Sequence, residues 1–221
     1  MTFLEQVLAI LWKDIRCELR SKQTWMGMGL FALLVLVIFN FAFDLRVDNK
    51  AAIAPGALWV AFVFASLLGL GRTIAAEREK GLMDRLLLCP VDRKAIYLAK
   101  LLGNLLFIGV VELVALPVFA ALFNVPLFAG SLLPIVLLGT LGIASVGTLF
   151  SAIASATQAR ELFLPLLIFP LIVPVVIGAV RATGALMVPA VNEPPWLGLI
   201  TAFDVIFLSI SMLTFEFVVE E

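Results

Sequence analysis

Two carboxylic acids, Glu112 and Asp204, each stand alone inside a long apolar run of a 221-residue chain. A charge at the centre of a bilayer costs at least about 2.5–3.5 kcal/mol, so an acid in such a run should face the interior of a helix bundle. It has two uses there. It can relay protons or touch a substrate, or it can fix helix packing as a protonated or hydrogen-bonded carboxyl; the sequence leaves both open. Pro165, Pro170 and Pro174 lie in another apolar run. Each removes a backbone donor and should bend or interrupt a helix. Broken helices often border a substrate path, although a plain structural kink is the simpler reading.

Most other chemistry is missing. The chain has no histidine, which excludes Ser-His catalysis, and its two cysteines, Cys17 and Cys89, lack paired spacing and read as ordinary thiols. No Gly-x4-Gly-Lys-Ser/Thr phosphate loop occurs, and no Cys pair or carboxylate cluster could build a catalytic metal site. The sequence therefore reads as a non-enzyme, with no catalytic residue and no metal ligand. Any work against a gradient must draw its energy from a partner. A net charge of −1 supplies no basic field, so nucleic acid is not an expected partner.

The segment richest in mixed charge runs from Glu77 to Lys94. Gly81 ends one helix, a short amphipathic turn follows, and Pro90 stops it. A charge run is ordinarily just solvated. Here Leu82, Leu86 and Leu87 add an apolar edge that water does not explain, and such an edge suits a short helix docking into a groove on another protein.

These residues must be positioned by membrane-spanning elements. The chain is 63% hydrophobic and 14% charged, against roughly 45–50% and about 25% in ordinary globular domains. A crossing helix needs about 20 apolar residues. Six runs qualify: Trp25–Phe43, Pro55–Ala76, Ile96–Phe123, Leu132–Ala156, Leu162–Val180 and Trp196–Phe215. The alternation of a transmembrane barrel is missing. The first run lacks a small-x-small cleavage site, so it should stay in the mature protein. Before it, Leu4, Leu8, Leu11, Ile15 and Leu19 recur at helical spacing among charged residues. This predicts an amphipathic helix over residues 1–22 lying at the cytoplasmic interface, either as a plain anchor or as an elbow that also contacts a partner. The membrane-spanning region then covers 25–215 with its loop at 77–94, and 216–221 forms a tail expected in the cytoplasm.

Lys13, Arg16, Arg20, Lys22, Arg72, Arg78, Lys80, Arg85, Arg93, Lys94, Lys100 and Arg160 fall on the side of the termini, against Arg46, Lys50 and Arg181 opposite. The positive-inside rule therefore places both termini in the cytoplasm. In the fourth run Gly139, Gly142, Gly147, Ser151 and Ser155 are small, the last three on one face, which predicts a close-packing seam within the subunit or across a dimer.

Several segments resemble one family. They are Lys13-Asp14-Ile15-Arg16-Cys17-Glu18-Leu19-Arg20, Ile53-Ala54-Pro55-Gly56-Ala57-Leu58-Trp59-Val60-Ala61, Ser66-Leu67-Leu68, Leu98-Ala99-Lys100, Leu138-Gly139-Thr140, and the run from Leu164 to Pro174. In order and spacing they are similar to CcmB, the membrane subunit of haem export in cytochrome c maturation. The resemblance implies an ABC-2 type exporter permease in a bacterial inner membrane, working with the ATPase CcmA, with CcmC and CcmD, and with the chaperone CcmE as a further contact. It implies that Glu77, Glu79, Lys80, Gly81, Leu82, Asp84, Arg85, Leu86, Leu87 and Pro90 form the coupling element on the ATPase. Six spans are half of an exporter, so two copies are expected. ATP would be bound by the partner, and haem is the candidate substrate. With no histidine, and with both cysteines and Tyr97 near the cytoplasmic side, no tight haem site is expected on this chain alone. The resemblance leaves two modes of action, a path for haem or an ATP-driven release of haem-loaded CcmE. A general ABC-2 permease for another amphipathic substrate is the alternative outside this pathway.

Overall fold

The structure is a computed structural model that describes residues 2–20, 22–44, 52–79, 86, 88–124, 132–155, 160–187 and 195–220. The described residues form seven helices: α1 (Phe3–Arg20), α2 (Lys22–Asp44), α3 (Ala54–Glu79), α4 (Arg93–Phe123), α5 (Leu132–Ser155), α6 (Arg160–Met187) and α7 (Trp196–Glu220). Helices α2 to α7 are each long and apolar enough to cross a membrane. The chain is an all-α, multi-pass membrane protein, as its hydropathy predicts.

Local signals set several boundaries. Asp92 caps α4, its Oδ1 accepting from the Lys94 amide at 2.9 Å. Asn124 ends α4 in the left-handed region at φ 53°, a conformation Asn tolerates, and its N–H returns to the Ala120 carbonyl.

Two helices form the centre. Most of the apolar windows of α3 and α5 are buried, whereas α2 and α7 bury little and line the outside. Helix α5 packs against α3, α4, α6 and α7. Its glycines permit this. A Cβ on Gly139 would run into the Trp59 ring of α3, and one on Gly147 into Leu70. At Gly142 it would meet Asp204 Oδ1 of α7 at 2.6 Å and Val175 of α6 at 2.9 Å. The small residues of α5 thus serve contacts inside one subunit on several sides. Ser151 is buried with them.

Two expectations need correction. The three prolines do not interrupt a helix: Pro165, Pro170 and Pro174 all lie within continuous α6, which runs seven residues past Val180. Pro170 and Pro174 sit on its exposed face with Leu166, Val173 and Ile177, away from the bundle interior. A proline removes one ladder bond and the helix on either side persists, because in lipid no other arrangement satisfies its backbone. The second correction concerns α1, whose apolar sector is wider than the expected stripe. Val7 and Ile10 are buried, Leu11 is half-buried, and the helix packs along α4, while Leu4, Leu8, Trp12 and Leu19 stay exposed.

Candidate functional site

Side chains able to do chemistry gather in two places, a polar ladder inside the bundle and one charged end of it. The ladder joins α4 to α5. Asn104 Nδ2 donates to Thr148 Oγ1 at 2.9 Å, and Thr140 Oγ1 donates to Glu112 Oε1 at 2.6 Å. A step of eight residues along α4 is matched by eight residues back along α5, the register of an antiparallel pair spanning about 12 Å. Nearer the start of α4, the Tyr97 hydroxyl donates to the Ser145 carbonyl at 3.2 Å. A separate polar contact fastens α3 to α6, where the Trp59 indole N–H donates to Thr183 Oγ1 at 3.0 Å. Neither Thr183 nor Asn104 stands out from the sequence, since each is one polar residue among many in an apolar run.

The two acids singled out above have different surroundings. Both are buried. Glu112 is bonded to Thr140 of α5, whereas both carboxyl oxygens of Asp204 are buried without a hydrogen-bond partner among the described residues, packed over Gly142. Thr140 and Gly142 lie two residues apart, so the acids meet α5 within about 3 Å of the same level and from different sides.

The charged end collects the N-terminal helix, the segment before α4 and the end of α7. The amide of Asp92 donates to Gln6 Oε1 of α1 at 3.2 Å. Cys89, Pro90, Val91, Asp92, Arg93 and Lys94 face Glu216 of α7 across an open cleft of about 600 Å³. Helix α1, residues 89–94 and the last turns of α7 therefore share one end of the bundle.

Of the loop residues expected to make contacts, Lys80, Gly81, Leu82, Asp84, Arg85 and Leu87 lie outside the described residues, as do the side chains of Glu77 and Glu79. Pro90 is exposed. Leu86 is half-buried and packs against the core, so it is unsuited to a free docking edge. The exposed apolar residue is Leu88, at 86%. Sequence reasoning missed it because a run of three leucines carries no sign of which one turns outward. Cys17 and Cys89 are exposed thiols not joined in a disulfide.

Comparison with known proteins adds a further finding. Residues 5–220 match the family model described as CcmB protein. Heme exporter protein B of Rhodobacter capsulatus is 34% identical over 76% of this chain and 78% of its own length. The proteins of that name from Bradyrhizobium diazoefficiens and Pseudomonas aeruginosa are each 31% identical. They share 81% and 78% of this chain, and 82% and 78% of their own lengths.

Proposed function

The chain belongs to the CcmB family, and on that premise we propose that it is the permease subunit of a haem-exporting ABC transporter of cytochrome c maturation. In this reading it sits in the bacterial inner membrane with both termini cytoplasmic. Two copies associate with the ATPase CcmA and with CcmC and CcmD, and the complex serves the chaperone CcmE. It is a transporter subunit and no enzyme: ATP is bound and hydrolysed on CcmA, and haem is substrate and not a resident cofactor. The observation that carries the coupling role is the charged end of the bundle, where an exposed leucine and an open cleft stand beside the capped start of a crossing helix.

Between the two modes of action, the ladder favours mechanical transmission. The Tyr97 hydroxyl, one candidate haem ligand, is committed to the Ser145 carbonyl, and Cys89 lies at the charged end beside the cleft. What joins that end to the interior is α4 itself, fastened to α5 by hydrogen bonds at two levels and so suited to carrying a displacement.

Leu88 gives the test. Full burial of a leucine contributes about 1.5–3 kcal/mol, so its loss from a docking contact weakens association by roughly ten- to a hundredfold. Leu88→Asp should leave membrane levels unchanged, because the residue is exposed and outside every span. CcmA copurification and cytochrome c maturation should both be lost. Full copurification with normal cytochrome c in this variant would rule out the loop as the ATPase contact.

A further inference from the structure

Helix α1 is tied to α4 at two points that share one spacing. Gln6 meets Asp92 and Asp14 meets Lys100, each pair separated by 86 residues. Equal spacing means that the two helices run parallel and in register over eight residues, about 12 Å. The second tie is an ion pair of 2.9 Å between side chains only 8% and 6% exposed. Asp14 also holds Lys13 at 2.9 Å, so one carboxylate serves two cations. Val7 and Ile10 are buried between the ties, and Leu11 lies over Gly103 of α4, where a Cβ would meet its Cδ1 at 3.8 Å. Amphipathicity alone requires none of this. A helix that served only to lie on a membrane would have no use for a buried ion pair to the third span, and a lysine sunk that far needs its partner to be tolerated at all.

The position of these ties along α4 is informative. Asp92 caps the helix that receives the end of the cytoplasmic-side loop, and Lys100 lies two turns further in. The polar contacts on either side of Lys100 along α4, at Tyr97 and Asn104, already reach α5. A lone helix start has unsatisfied amides and frays or bends when pushed. Doubling it with a parallel helix, clamped at both ends, removes that compliance.

We propose that α1 and the first two turns of α4 form one rigid strut, clamped by Gln6–Asp92 and Asp14–Lys100, which carries movement of the loop into the α4–α5 ladder. Asp14 and Lys100 are its positioning residues. The proposal rests on the ATPase-coupled function above and names the element through which a push enters the membrane.

The experiment uses the intact complex. Asp14→Lys and Lys100→Asp, made singly, should lower cytochrome c maturation by roughly tenfold or more, the size of a typical coupling between sites. ATPase copurification should stay at the level of the unsubstituted chain. The double reversal restores the pair and should restore maturation. Normal maturation in the single variants would overturn the strut, as would equal loss of ATPase copurification, since that marks a docking or folding role instead. Failure of the ATPase to copurify with the unsubstituted chain would count against the function itself. Rigidity is tested separately with Gln6→Cys and Asp92→Cys in a chain whose Cys17 and Cys89 are serine. Joining the pair with a short bis-maleimide replaces the lost Gln6–Asp92 clamp and should hold ATP turnover of the purified complex at or above that of the same variant before crosslinking. A large fall on crosslinking would show that α1 and α4 must part during the cycle, and the strut would be wrong.

Discussion

Gly139→Ala is expected to destabilise the bundle strongly, although alanine is ordinarily the better helix residue. The gain in helix propensity is about 1 kcal/mol. Against it stands a collision, because the new Cβ would fall on the ring of Trp59. That ring has nowhere to go. It is fully buried, its N–H is bonded to Thr183 at 3.0 Å, and Phe62 packs edge-on at 5.8 Å. Relief requires moving α3 away from α5, the two most buried spans. Overpacking of this kind costs typically 1–3 kcal/mol, and with the ring held on every side the upper end applies, so a net loss of about 2 kcal/mol is expected. Thermal unfolding in detergent would show it as a lowered midpoint. Gly29→Ala is the matching control, since no atom of the described residues lies within 4 Å of a Cβ there, and its midpoint should hold or rise. Trp59→Phe, by shortening the ring, should recover part of the loss when combined with Gly139→Ala. An unchanged midpoint for Gly139→Ala alone would mean that α3 and α5 do not pack through this glycine.

A change of opposite sign is expected at Asp204. Its two oxygens are buried without partners among the described residues, and unsatisfied buried groups each cost about 1–3 kcal/mol. Asp204→Val replaces them with methyl groups in a similar shape and should raise the unfolding midpoint by an amount equivalent to about 1–3 kcal/mol. Glu112→Val should lower it, because Thr140 then loses the acceptor it reaches at 2.6 Å. Interhelical bonds in membrane proteins contribute about 0.6–2 kcal/mol, so that fall should be the smaller of the two effects. If both variants were destabilised alike, Asp204 would have a structural partner, and its carboxyl would be part of the packing. If Asp204→Val is stabilised yet loses cytochrome c maturation, the unpartnered acid is kept for function at the expense of stability.

Hydropathy alone determined the number of crossing helices, their approximate positions and the exclusion of soluble and barrel folds. Spanning is a property of about 20 consecutive residues, and in lipid only a helix satisfies the backbone of such a run. The segments resembling CcmB carried the family, and the two lone acids were conspicuous because charge inside an apolar run is costly. The tertiary structure decided how those helices face one another. In water an apolar face marks the inside, but lipid is as apolar as leucine, so periodicity cannot tell a lipid-facing stripe from a buried one. The choice falls to small and polar residues meeting partners far along the chain. Trp59 finds Thr183, 124 residues away, and Asp92 finds Gln6, 86 residues away. The same long-range packing gives Glu112 a hydroxyl and leaves Asp204 against a glycine. It turns Leu88 to solvent while Leu86 meets the core, and it leaves Pro170 and Pro174 on the outer face of an unbroken helix. No local pattern distinguishes these outcomes, because each is fixed by what the neighbouring helix presents at the same level of the bundle.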